Sequence, residues 1–223
     1  MKKLFYALCA LCVFGLSSCS TITRGAAYPK MYEESPTTIL VMPPINNTNN
    51  VEAKEYFYTS LSMPLAEKGY YVVSPFLAMD VLQSESAYDS EMFIDGNLSP
   101  FKDVFGADAA LFTIISKWNK SNLANMITVE IEYILKSTLT NVILFNRKGT
   151  LSLDTSVSGG GNSALLDLAL SALNTALTDK VVAARRCNIY VLGDLPEGRY
   201  APNHGTDQNT RAGGPVLRGV VKQ

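Results

Sequence analysis

Proton transfer, nucleophilic attack and metal chemistry each need several reactive side chains held within reach of one another. This sequence offers few. Its one histidine, His204, lies in "APNHGTDQN", a stretch with the period of neither helix nor strand. One histidine cannot make a multi-histidine metal site, and a Ser-His-Asp triad would rest on an irregular segment, so His204 reads as a surface or turn residue. Glu130 and Glu132 stand two apart in "ITVEIEYIL", which puts both carboxylates on one face of a strand. Paired carboxylates can do acid–base work. Here the alternation with Ile127, Val129, Ile131, Tyr133 and Leu135 already accounts for them as a solvated face. "SGGGNSA", 158–164, has glycines that could turn backbone amides toward an anion, but it lacks the lysine of a P-loop and the GxGxxG spacing. It reads as a strand-to-helix turn. In "PPINNTNN", 43–50, the side chains of Asn46, Asn47 and Thr48 follow the carboxyl end of a predicted strand, the edge where open α/β sheets tend to hold ligands. They are the candidate contacts for a ligand or partner. No catalytic residue, metal or cofactor is expected.

The cysteines tell more. Cys9, Cys12 and Cys19 lie in or just after an apolar run from Leu4 to Leu16 that follows Lys2 and Lys3. That run is short of the ~20 residues a bilayer span requires, and it fits the apolar region of a secretory signal. The segment ends in "LSSCS", which resembles the bacterial lipobox: an aliphatic residue, two small residues, then the cysteine that takes lipid. Residues 1–18 are therefore expected to be a signal peptide and Cys19 the lipidated first residue of the mature chain. Loss of Lys2 and Lys3 would move the formal charge from −1 to −3, with 17 basic against 20 acidic residues. Cys187 would be left as the single thiol, unable to form an intrachain disulfide, and expected as a small buried residue. Two or more acyl chains hold a protein stably at a membrane. Ser20, rather than aspartate, follows the cysteine, which by resemblance to a known sorting rule favours the outer membrane, here its periplasmic face. No basic block is present to bind phosphate, so nucleic acid is not an expected partner.

The elements that would position these groups follow from periodicity. Hydrophobic content of 47% with 17% charged residues describes a globular chain. Residues 20–36, with Ser, Thr, Gly and two prolines, read as a flexible tether of about 17 residues with an r.m.s. span of about 20–25 Å. Thr37–Met42 is a buried strand stopped by Pro43 and Pro44. Ala53–Lys68 reads as a helix kinked at Pro64 and stopped by Gly69, followed by a strand at 70–74 and a helix opened by Pro75. A short helix ends at Gly106, and residues 107–118 form a strand buried on both faces. Then alternation takes over, with a strand at 127–135 and two more at 139–145 and 150–157, joined by a hairpin turn at "NRKG". A helix from about 162 to 186, with Arg185 and Arg186 at its negative end, carries a narrow polar stripe at Ser163, Asp167, Ser171, Asn174, Thr175 and Thr178. Its wide apolar arc, including Leu165, Leu166, Leu170 and Leu173, is a candidate partner surface. "NIYVL", 188–192, reads as a last strand and 193–223 as an irregular tail. The sum is an α/β domain over 37–192, a mixed sheet of about five or six strands with a parallel βαβ start, an antiparallel meander and packed helices.

"ILVMPPINNT", "YFYTSLSMPLAEKGYYVVSPFLAMDVL", "FGADAALFTIISKW" and "LGDLPEGRYAPNHG", in that order behind the lipobox, resemble the bacterial lipoproteins of the genome-derived neisserial antigen family. The resemblance implies a fold similar to the amino-terminal domain of the Tol-system propeller protein TolB. It implies an outer-membrane lipoprotein without settled activity, and it brings no catalytic residues. Expected partners are the membrane, through the N-terminal lipid, and other envelope lipoproteins, one of them similar to the curli-secretion channel, or further copies of the same chain. The expectation is a non-enzymatic interaction or assembly subunit of an envelope complex; the alternative is a periplasmic binding module for peptidoglycan or a small envelope ligand.

Overall fold

The computed structural model describes residues 21–121, 126–154 and 179–221. Two short helices, α1 (Arg24–Ala27) and α2 (Pro29–Glu34), precede the sheet. β1 (Thr38–Val41) is built from the β-branched and aliphatic run and is followed by Pro43 and Pro44. Its residues feed two cores: Ile39 and Val41 face one way, Leu40 and Met42 the other. A two-residue strand, β2 (Ile45–Asn46), follows the prolines. Helix α3 (Ala53–Ser60) breaks at Leu61 and resumes as α4 (Ser62–Glu67). The break falls ahead of Pro64 because the proline ring crowds the carbonyl four residues earlier, that of Ser60. Gly69 (φ 82°) turns the chain into β3 (Tyr71–Val72). α5 (Pro75–Ser84), α6 (Glu91–Ile94) and α7 (Ser99–Phe105) follow, and Gly106 (φ 65°) ends the last of them.

β4 (Ala109–Ser121), β5 (Met126–Ser137) and β6 (Ile143–Asp154) form an antiparallel meander. After α8 (Asp179–Leu192) and a single 3₁₀ turn at Asp207–Asn209, the chain adds β7 (Val216–Val221), parallel to β6. The seven-stranded mixed sheet has the order β3-β1-β4-β5-β6-β7, with β2 also pairing to β4. The α/β class, the parallel start and the meander are as expected. α3, α4 and α8 cover one face through Phe57, Leu61, Leu65, Ala184, Cys187 and Val191. α5 and α7 cover part of the other through Ala78, Leu82 and Phe101. β5 shows the expected alternation, with Ile127, Val129, Ile131, Tyr133 and Leu135 buried. Among the described residues no helix is long and apolar enough to cross a membrane.

Several expectations need correction. "NRKG" is not a hairpin turn. β6 runs through it unbroken, and the turn lies at 138–142, where Asn141 takes a positive φ of 59°. "NIYVL" is not a strand but the last part of α8, so Arg185 and Arg186 lie mid-helix rather than at its end. Residues 20–36 are not a tether from Thr21 on, because α1 and α2 fold there and bury Tyr28 and Met31. Residues 193–223 are not an irregular tail: Leu195 is buried, and β7 joins the sheet. The two terminal segments meet. Thr23 and Arg211 form an antiparallel bridge, the Arg24 amide donates to the Thr210 carbonyl (2.9 Å) and the Ala212 amide to the Ile22 carbonyl (2.8 Å).

Candidate functional site

Neighbouring parallel strands β1 and β4 diverge in their connections: β1 leads outward to β3, β4 inward to the meander. Open α/β sheets keep ligands in the crevice at such a switch point, and the 43–50 loop lies there. In this chain β2 occupies the crevice. Ile45 pairs with Ile114 and Asn46 with Ile115, and the Asn47 amide donates to the Ile115 carbonyl (2.9 Å). The loop also spends its own polar groups. Asn46 Oδ1 accepts from the Thr48 amide (3.2 Å) and hydroxyl (2.8 Å), and Asn46 Nδ2 donates to the Asn50 carbonyl (2.8 Å). The Ser90 hydroxyl ties the strand end down through the Pro43 carbonyl (2.6 Å). Asn46 and Thr48 line a cavity of about 340 Å³ with Lys54, Asp89 and Glu91, and Asn47 is exposed beside them.

The other sequence candidates do not assemble into a reactive centre. His204 is exposed, and its Nδ1 donates to the Glu197 carbonyl (2.8 Å). Cys187 is fully buried on α8, and burial pushes its thiol up to about 12. Glu130 pairs with Lys117 (3.4 Å) and Glu132 with Lys148 (3.0 Å) on the face of β5 opposite α8. No three His, Cys, Asp or Glu side chains among the described residues are placed to hold a metal ion. Cys19, the glycines of 158–164 and the leucines Leu165, Leu166, Leu170 and Leu173 lie outside the described residues.

What sequence reading missed is the polar seam that joins the two ends of the chain. The carboxyl end of α8 exposes unpaired carbonyls with negative potential. Three cations meet them. Arg147 Nη1 donates to the Val191 carbonyl (3.0 Å), Arg24 Nη2 to the Gly193 carbonyl (3.1 Å), and Lys68 Nζ to the same Gly193 oxygen (3.0 Å). Asp194 then accepts from the Tyr28 hydroxyl (2.6 Å), Arg24 Nε (3.4 Å) and the Gly213 amide (2.9 Å). Asp207 accepts from the Tyr32 hydroxyl (3.1 Å) and the Glu197 amide (2.9 Å), and pairs with Arg24 Nη1 (3.5 Å). Burial, reinforced by Asp194 and Asp207, pushes the Tyr28 and Tyr32 phenols well above their usual range, so both stay protonated donors. A signal for Arg147 did exist. Phe145, Leu151 and Leu153 share one parity on either side of "NRKG", the pattern of one uninterrupted strand with Arg147 and Gly149 facing inward.

Beside this seam lies a groove of about 580 Å³ between the start of the described chain and the start of β6. Thr21, Ile22, Ala26, Ile143, Phe145 and Arg211 are among its lining residues.

Comparison with known proteins gives the following. The family model described as "Putative lipoprotein GNA1162-like" matches residues 26–188. The chain is 24% identical over 184 residues to "Putative lipoprotein NMB1124/NMB1162" of Neisseria meningitidis serogroup B, covering 81% of this chain and 85% of that one. Among solved structures it is similar to lipoprotein GNA1162 from Neisseria meningitidis, with 23% identity and a TM-score of 0.49 over 65% of this chain and 99% of that one. A PelC dodecamer from Paraburkholderia phytofirmans is more distant, at 16% identity and a TM-score of 0.36 over 68% of this chain and 88% of that one.

Proposed function

Since the chain belongs to the GNA1162-like lipoprotein family, whose model spans residues 26–188, we propose that it is a lipid-anchored envelope protein, held at the periplasmic face of the outer membrane. It serves there as a non-enzymatic interaction or assembly subunit. The observation that carries the reading is "LSSCS" behind a short basic start and an apolar run. A non-catalytic role is supported by the state of the reactive groups: the single histidine is engaged with a carbonyl and the Cys187 thiol is buried. The partner is another envelope lipoprotein or a second copy of the chain.

Replacement of Cys19 by alanine tests the anchor. The variant is expected to lose incorporation of radiolabelled palmitate and to move from the membrane to the soluble fraction. Unchanged labelling and fractionation would remove the proposal. Ser20→Asp tests the destination, with retention at the inner membrane expected in density-gradient fractions. Site-specific crosslinking in intact cells tests the assembly role, which fails if only monomer is recovered from positions across the whole surface.

A further inference from the structure

The seam fixes where the fold begins relative to the anchor. Thr21 lines the groove, and the Ile22 carbonyl is already bonded to the Ala212 amide. Only Ser20 separates Thr21 from Cys19. Two Cα-to-Cα steps of about 3.8 Å bound the distance between those residues at about 7.6 Å, whatever path they take. A lipid attached at Cys19 therefore leaves the domain almost no leash. We propose that the domain sits flush on the bilayer that holds its lipid, with the Thr21–Ile22 end and the β5–β6 turn against the headgroup region. This rests on the anchor reading given above.

The chemistry of that end fits a lipid surface. Ile22 is 62% exposed and Ile143 54%, and both line the groove. Leu139, at the tip of the β5–β6 turn, is 79% exposed. Among the described residues no aspartate or glutamate lines the groove, and the one charged side chain there is the exposed Arg211. The β5–β6 turn does have a carboxylate beside it, that of Glu34, which accepts from the Thr140 hydroxyl (2.7 Å). Isolated apolar side chains with a cation among them are the composition that enters the boundary between headgroups and acyl chains. The opposite end of the meander differs. Lys120, exposed and paired with Ile127, stands about 30 Å along the strands from Ile143, which pairs with Lys136. Flush seating therefore raises one end of the sheet away from the membrane and presents it to whatever approaches from the aqueous side.

The full-length lipidated protein allows a direct test. Cys187 is buried and Cys19 carries the lipid, so a single introduced cysteine takes a bimane label selectively. Leu139→Cys, Ile143→Cys and Lys120→Cys are made in turn and reconstituted into vesicles of phosphatidylethanolamine and phosphatidylglycerol with brominated acyl chains. Bimane at 139 and 143 is expected to be quenched several-fold more than at 120. Palmitate incorporation is measured on the same preparations. Incorporation with equal quenching at all three positions overturns the seating and leaves the anchor standing. Absence of incorporation overturns the anchor and the seating with it. All three positions are exposed, and circular dichroism of each labelled protein confirms that the fold is kept.

Discussion

Arg147 shows how much one side chain decides here. It is buried within the sheet, and its guanidinium joins three stretches of chain: β6, the end of α8 and the approach to β7 through the Gly214 carbonyl (3.1 Å). Substituting methionine keeps the bulk and leaves the Val191 and Gly214 carbonyls without that donor. Arg147→Met should therefore cost about 2–4 kcal/mol, read as a lower urea midpoint with an unchanged slope. Asp108 is a second such residue, at the start of β4. Burial works against its charge, but Lys102 (2.5 Å) and the Thr38 and Thr37 amides (2.9 Å each) outweigh it and hold its carboxyl below the usual range. Because the native carboxylate resists protonation more than the unfolded one, its contribution is complete above about pH 4 and is lost as pH falls further. Stability measured between about pH 5 and pH 2 should drop less steeply in Asp108→Asn than in the parent, and parallel curves would refute this.

At the scale of elements, α8 lies against β6 because β6 has a glycine at the crossing. A Cβ at Gly149 would overlap the Val191 side chain. Gly149→Ala should destabilise by about 1–3 kcal/mol, and Val191→Ala in the same molecule should recover part of the loss. A thermal-melt cycle of the four proteins reads the coupling; strict additivity would mean that the two elements do not bear on one another here. The same pair explains what was legible in the sequence. β1, β4 and β5 were readable because composition and alternation agreed with their burial. Within β6, "NRKG" has hairpin chemistry that argues for two strands, but tertiary contacts to α8 override that local preference. "NIYVL" has the β-branched and aromatic composition of a strand. The helical period was present throughout: Ala183, Ala184, Cys187, Asn188, Val191 and Leu192 are buried while Ile189 and Tyr190 are exposed. Asn188 bonds the Tyr133 hydroxyl and, through Nδ2, the Ser60 hydroxyl (2.9 Å), which fixes that face of α8 against α3 and β5. Of the candidate site, the 43–50 loop was legible as a loop. Its occlusion by β2 was not, because a two-residue strand has no period to detect.

For the whole molecule, the boundary read from sequence at residue 192 cuts through the structure. A chain ending there loses Gly193, Asp194 and Asp207, the partners of Arg24, Tyr28 and Tyr32. Such a truncation should lower the melting temperature by about 10 °C or more and open residues 21–35 to limited proteolysis. A protected amino-terminal segment in the truncated chain would show that the seam is dispensable. The seam also has a meaning in time. Arg24 and Asp194 are 170 residues apart, so at ordinary elongation rates the first is made roughly 10–30 s before the second. During that interval the amino-terminal helices can reach β6 through Tyr28 and Phe145 but lack their seam partners Asp194 and Asp207. Any processing enzyme that works on Cys19 while the chain is still being made meets an amino terminus not yet clamped by its carboxyl-terminal partners, and completion of the polypeptide is what closes the fold over it.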